Sequence, residues 1–291
     1  MTVRLAILLL IFGLSRAVVA SAAPETVDRQ PMAAGDRLLY LTLDASTWRP
    51  RGRISFGIAP TVRLKLASSG LSVTEDPATP HNATLKIDYR EERGKQISIN
   101  LYGTDITCLV RLDGPQDKET LDLVIHESPS YTDLTDAPYV EVVEKLQANP
   151  YFYFLGEIVR ERMQTHIDTT GALILALDRQ FDRELHPQPA TPLDTLVSPA
   201  ETFPDLDVHY AAAAQQNTVD ELGRLKDSRA VDLLTRLTAH ANRLTRLRAV
   251  VALGQFDDPS IPPVMTRVAE VDSDAAVRDA AANVLSKRSA H

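Results

Sequence analysis

The carboxy-terminal third repeats itself, and that periodicity constrains the fold more than any other feature of the chain. Leu222-Gly223 returns as Leu253-Gly254 and Thr235-Arg236 returns as Thr266-Arg267, each 31 residues later. Arg246 and Leu253 return as Arg278 and Leu285 after 32, so the unit is about 31 residues with one insertion. Periods of this size belong to stacked supersecondary units, each of which buries its apolar face only against its neighbours. Every unit reads as two helices. The first helices are Arg246–Leu253 (RLRAVVAL) and Arg278–Leu285 (RDAAANVL), rich in small and apolar residues at helical spacing. The second helices are Ala230–Thr238, with Val231, Leu234 and Leu237 on one face, and Ile261–Ala269, with Val264, Met265 and Val268 inside. Pro262 and Pro263 fall in a first turn, where a missing amide donor costs least. Asp257-Asp258-Pro259-Ser260 marks the turn before that helix, with Ser260 as its expected N-cap.

The segments ALGQFDDPSIPPVMTRV and AAVRDAAANVL, with Arg246 and Arg278 at matching positions, resemble the HEAT-like repeats of the phycobilisome-lyase type. The resemblance covers roughly residues 208–288 and implies a helical binding surface. The first copy departs from the pattern, because Gln215 stands where the arginine belongs. Some members of that family handle bilins, but these repeats hold no cysteine for one. The arginines have a structural reading beside the functional one: each holds a neighbouring turn carboxylate, such as Asp272 or Asp274, and ties unit to unit.

Upstream the period changes from helical to alternating. Arg37–Leu43 is β-prone, Ile58–Ala67 reads as a helix with Ile58, Val62 and Leu66 inside, and Leu71–Thr74 as a short strand. Ala83, Leu85, Ile87 and Tyr89 alternate; Arg93-Gly94 supplies a turn, and Ile97, Ile99 and Leu101 alternate back, giving a hairpin. Ile106, Cys108, Val110 and Leu112 mark a further strand, and Leu121, Leu123 and Ile125 the last. Helices are expected over Tyr139–Gln147, Pro150–Met163 and Ala172–Phe181. The fold class is therefore α+β: a small mixed sheet domain with helices on one face, residues 36–183, followed by an all-α HEAT-like repeat domain, residues 208–288. Five prolines (Pro187, Pro189, Pro192, Pro199 and Pro204) in or beside residues 184–207 predict an extended linker between them. The helix followed by ATLKIDYREERGKQISI and GTDITCLVRLDG looks like small domains of bacterial envelope assembly proteins, such as the lipopolysaccharide-assembly lipoprotein and the amino-terminal domain of the Tol-system propeller protein. That resemblance implies binding rather than catalysis.

Residues 1–22 read as a secretory signal peptide: Arg4, the apolar run Leu5–Leu14, then Ala20-Ser21-Ala22 for the peptidase. The apolar run is shorter than the roughly 20 residues a span needs, so no stable membrane anchor is expected after cleavage. The expected location is the bacterial periplasm or the medium. A single cysteine closes no intrachain disulfide and builds no cysteine-based metal site. With 31 basic against 39 acidic residues, nucleic acid is not an expected partner.

The charge is unevenly shared. Residues 208–291 carry 11 basic and 10 acidic side chains, leaving 18 and 29 for residues 23–207. A basic strip in the repeats either docks the acidic domain or holds an acidic protein partner. Expected partner-binding residues are Trp48, which precedes Arg49-Pro50-Arg51-Gly52-Arg53, and Arg236, Arg243, Arg246, Arg248, Arg267 and Arg278. No catalytic, cofactor or metal residue is expected. Cys108 with His81 or His126 could make a nucleophile and base, but its strand position favours burial. His166 and Asp168 lack a third metal ligand. Glu91 and Glu92 flank the expected hairpin tip as solvated charge. The block Tyr151–Phe154 is divided between core and groove. The sequence thus reads as an exported binding or scaffold protein, with an envelope hydrolase using an interdomain site, or a small-ligand carrier, as alternatives.

Overall fold

The computed structural model describes residues 38–49, 52, 57–99, 101–114, 121–128, 144–185 and 204–289. The expected signal peptide and most of the expected linker lie outside them.

Five strands form a mixed sheet in the order β2-β1-β3-β4-β5. They are β1 (Leu38–Thr47), β2 (Ser72–Thr74), β3 (Ala83–Ser98), β4 (Leu101–Asp113) and β5 (Leu121–Glu127). Helix α1 (Ile58–Ser68) carries the chain from β1 to β2, which lie parallel, and buries Ile58, Val62 and Leu66. β1 also pairs parallel with β3, Leu41 beside Leu85, while β3, β4 and β5 are antiparallel. Alternation sorts the residues: Leu39, Leu41, Leu85, Ile87, Tyr89, Ile106, Cys108, Val110 and Ile125 are buried. Lys86, Arg90, Leu109, Arg111, Val124 and His126 point from the opposite face and are exposed. Among the described residues helices therefore cover one face of the sheet, the layering expected of an α+β domain.

The β3–β4 hairpin differs from expectation. β3 runs on through Arg93-Gly94 to Ser98, which pairs with Leu101 at the end of the hairpin, and one long strand β4 replaces the two expected. The register shifts between Arg93 and Gln96 and again before Ser98. A Cβ on Gly94 would lie 3.0 Å from the Gly103 backbone and from Asp105 Oδ1. This glycine serves close cross-strand approach at a bulge rather than a turn.

After β5, residues 144–148 are helical. The expected helix over 150–163 is divided into α2 (Pro150–Tyr153) and α3 (Leu155–Thr165) at Phe154. Asn149 caps α2, its Oδ1 accepting from the amides of Tyr151 and Phe152. The third helix, α4 (Thr169–Leu185), is longer at both ends than expected.

The repeats follow as α5 (Pro204–Leu225), a 3₁₀ turn (Ser228–Ala230) with α6 (Val231–Leu237), α7 (Arg243–Leu253), α8 (Ile261–Val271) and α9 (Ala275–Ser289). Their caps repeat with the sequence. Asp227 Oδ1 accepts from Arg229 N, and 31 residues on Asp258 Oδ1 accepts from Ser260 N. Asp258, not Ser260, does the capping; Ser260 makes no cap bond of its own and donates its hydroxyl to Asp258. Asn242 and Asp274 cap α7 and α9 in the same way. The repeated Leu-Gly pair has a packing cause. A Cβ on Gly223 would meet Ala252 Cα at 2.9 Å, and one on Gly254 would meet Val284 Cγ2 at 2.8 Å, so each glycine lets consecutive first helices touch.

One hydrophobic core runs from the sheet through α1, α3 and α4 into the repeats. Helices α2 and α4 both pack against α5.

Candidate functional site

Helix α4 lies against the first repeat and meets the basic strip with carboxylates. Arg229 Nη2 donates to Asp168 at 2.8 and 2.9 Å while also bonding Asp227. Arg236 pairs with Asp178 and approaches Asp182 at 3.8 Å. Tyr151 on α2 donates its hydroxyl to Glu221 of α5 at 2.6 Å, and Asn217 donates to Ala148 O. Two groups once weighed as metal ligands are thereby placed. His166 ends α3 in the left-handed region at φ 52°, and Asp168 caps α4 by accepting from Gly171 N. Burial opposes ionisation of Asp168, but the Gly171 amide and Arg229 outweigh it and hold its carboxyl below the usual range.

The remaining arginines bind within the array. Arg246 makes a two-bond pair with Asp272, Nε at 2.9 Å and Nη2 at 3.1 Å, and its Nη1 donates to His240 O and Ala241 O. Arg278 repeats part of this, donating Nη1 to Asp272 O, six residues upstream as His240 is from Arg246. Arg243 reaches Asp274 at 3.3 Å, and Arg248 reaches Asp220 and Asn217. Arg267 is exposed and makes no ion pair or hydrogen bond among the described residues. Trp48, half-buried at the end of β1, lies 6.0 Å from the Arg93 guanidinium, which stacks closer on Tyr102. The seven residues are thus spread over the molecule. Arg236, Arg246, Arg248 and Arg278 face internal acceptors, Trp48 sits at the far sheet end, and Arg243 and Arg267 are the most open.

The other candidates resolve into core. Cys108 is buried, and burial followed by the charge of Asp88 pushes its thiol up to about 12. Phe152 and Phe154 are buried, and Tyr153 stacks near the Lys65 ammonium. Glu91 is not at a hairpin tip: it faces inward from β3, its side chain wholly buried, accepting from Tyr89 Oη at 2.9 Å and Thr47 Oγ1 at 3.0 Å. Burial, with the adjoining Glu91 carboxylate, pushes the Tyr89 phenol well above its ordinary value.

A cleft of about 520 Å³ opens where α4 ends against the repeats, lined by Glu184, Ala211, Ala212, Gln215, His240, Ala241 and Asn242. No motif or spacing in the chain marks it. Its residues come from three separated segments, and only Gln215 stood out, as the departure from the repeat arginine. Glu184 Oε2 lies 2.9 Å from His240 Nε2, and the Asn242 amide donates to His240 Nδ1 at 3.0 Å. A backbone donor at Nδ1 requires a lone pair there, so the proton sits on Nε2 and points at Glu184. Both ring nitrogens are occupied, which leaves none to serve as a general base for a substrate in the cleft.

Residues 191–286, about a third of the chain, match the family model of HEAT repeats. HEAT repeats are generally scaffolds for protein interaction and typically not catalytic. Among curated proteins none matches the chain.

Proposed function

We propose that the chain is an exported scaffold protein of the bacterial envelope that binds a protein partner through its HEAT repeats. The observation that carries this reading is the stacked array itself, with α4 packed against its first unit. Among the described residues Leu244, Val251 and Arg243 of α7 and Arg267 and Val271 of α8 are exposed. Exposed apolar groups among arginines suit a protein interface. An acidic partner is the matching chemistry, with Arg267 and Arg243 as its first contacts and Trp48 a separate candidate. Export rests on the signal-like residues 1–22, and the periplasm or the medium is the proposed location. No helix among the described residues is long and apolar enough to cross a membrane. A non-enzymatic role accords with the occupied imidazole of His240 and the buried thiol of Cys108.

The test has two arms. Amino-terminal sequencing of the chain recovered from a fractionated bacterium should begin just after Ala22; an intact Met1 in the cytoplasm rejects export. Photo-crosslinkers placed at Leu244 and Arg267 should capture one partner that a crosslinker at Lys86, on the open sheet face, does not. Capture from Lys86 alone would move the interface to the sheet.

A further inference from the structure

The geometry points to the Glu184 cleft as a binding site for an alkylammonium or guanidinium group. This goes beyond the scaffold reading and does not depend on it.

Every other carboxylate that α4 turns toward the repeats has a guanidinium: Asp168 has Arg229, and Asp178 and Asp182 share Arg236. Among the described residues Glu184 has only neutral donors. His240 gives it the Nε2 proton, Gln215 Nε2 lies 3.4 and 3.5 Å from its two oxygens, and Gln180 Nε2 lies 3.4 Å away. Because the Asn242 amide occupies Nδ1, the imidazole contributes no positive charge to offset the carboxylate. Arg246, which donates to His240 O and Ala241 O of the cleft lining, is matched by Asp272.

The repeat itself shows what is missing. Where the second copy has Arg246 to meet a turn carboxylate, the first copy has Gln215, 31 residues earlier. Gln215 is held by Thr245, whose Oγ1 donates to its Oε1, so the amide ends short of a charge-bearing head. The space beyond is lined by Ala211, Ala212 and Ala241, small side chains that leave room for an aliphatic stem. Glu184 is 42 % exposed, so a cation reaches its free lone pairs without unfolding anything. About 520 Å³ lies within the range of small-molecule sites and accepts the end of a lysine or arginine side chain.

The same chemistry comes from a free amine or from a basic side chain of another protein, and one experiment separates them. The full chain, carrying ¹⁵N-labelled histidine, is titrated with n-butylammonium chloride and, separately, with the capped peptide acetyl-Ala-Lys-Ala-amide. The His240 ring signals are identified by their loss in His240→Gln. Because Nε2–H bonds Glu184, a cation on the carboxylate should shift those signals saturably, with a millimolar midpoint, whereas sodium chloride at equal ionic strength should not. Glu184→Gln keeps an acceptor for Nε2–H and should weaken the response at least tenfold. Gln215→Arg should supply the guanidinium in cis, abolish the response and raise the melting temperature. Tighter binding of the peptide assigns the site to a protein-borne cation, and tighter binding of butylammonium to a free amine. A shift reproduced by sodium chloride, one that survives Glu184→Gln, or saturable binding of inorganic phosphate instead would overturn the proposal.

Discussion

Replacing Arg246 by methionine tests whether the repeat arginine is a tie between units. Methionine keeps most of the aliphatic stem and removes five hydrogen bonds, two to Asp272, two to the carbonyls of His240 and Ala241, and a longer one to Ser273 Oγ. The arginine side chain is 13 % exposed and Asp272 is 7 % exposed, so neither is a surface group. An exposed ion pair contributes about 1 kcal/mol or less. Breaking a fully buried pair on one side costs about 3–5 kcal/mol. Asp272 keeps the Asp274 amide on Oδ1, and Arg278 remains nearby, so Arg246→Met should cost about 2–3 kcal/mol. For a unit of this size that lowers the melting temperature by roughly 5–10 °C at pH 7. The pH dependence supplies a second check. Burial opposes ionisation of Asp272, but Arg246, the Asp274 amide and Arg278 together hold its carboxyl below the usual value. A carboxyl lowered on folding stabilises the protein above its unfolded pKa, near 3.9, and the gain is lost as pH falls through the folded value. The gap between wild type and Arg246→Met, followed by circular dichroism melts, should therefore narrow below about pH 4. Melting within 2 °C of wild type at pH 7, or a gap undiminished at pH 2, would refute the tie.

Gly254→Ala should destabilise the array by about 1–2 kcal/mol, since its Cβ would press on Val284 Cγ2, and adding Val284→Ala should recover most of the loss. Gly223→Ala meets the Ala252 backbone instead, so no side-chain truncation should rescue it; equal rescue at both sites in denaturant melts would contradict the packing account. Native Cys108 should resist a thiol reagent at pH 8 and react once the chain is denatured, and fast labelling of the folded protein would show the strand is not closed over it. Leu253→Asp places a charge at a fully buried repeat position and should abolish the cooperative melt of the array, whereas an unchanged transition would remove Leu253 from the core.

Period was the legible quantity. The four-residue spacing of Ile58, Val62 and Leu66 marks the buried stripe of α1, and alternation marks the inward face of β3 from Ala83 to Tyr89 and of β4 from Ile106 to Leu112, but not Ile99, which is exposed. Sequence and structure diverge where a local signal interrupts a period. Extending the count from Ala83, Leu85, Ile87 and Tyr89 by two reaches Glu91, which is inward as the phase requires. A turn at Arg93-Gly94 would break the count and put Glu91 in solvent. Ser260 adjoins the helix, but a turn closed by Ile261 N donating to Asp258 O precedes α8 and moves the capping position to Asp258, as the 3₁₀ turn moves it to Asp227 one repeat earlier. The repeat arginines are legible in role because Arg246 recurs as Arg278 with the turn carboxylates Asp272 and Asp274 between them. The cleft was not, since nothing in the spacing of Glu184, Gln215 and His240 says that they meet.

What joins these residues is the end of the solenoid. A stack of helical pairs exposes its first unit, and that surface needs a cap with matching chemistry. Here the cap is α4, whose inner stripe of Leu173, Leu177 and Phe181 shares the core and whose carboxylates answer the arginines of the first repeat. The apolar burial carries most of the stability, because the half-exposed pairs of Arg229 and Arg236 contribute about 1 kcal/mol or less each. The pairs instead fix the sliding position of α4 along the array. That position determines where its last turn falls, and so sets Glu184 beside Gln215 and His240. Moving α4 by one helical turn would shift it about 5 Å and dismantle the cleft. The acidic helix and the degenerate first repeat are two halves of one arrangement: the cap supplies a carboxylate where the repeat has withheld its arginine.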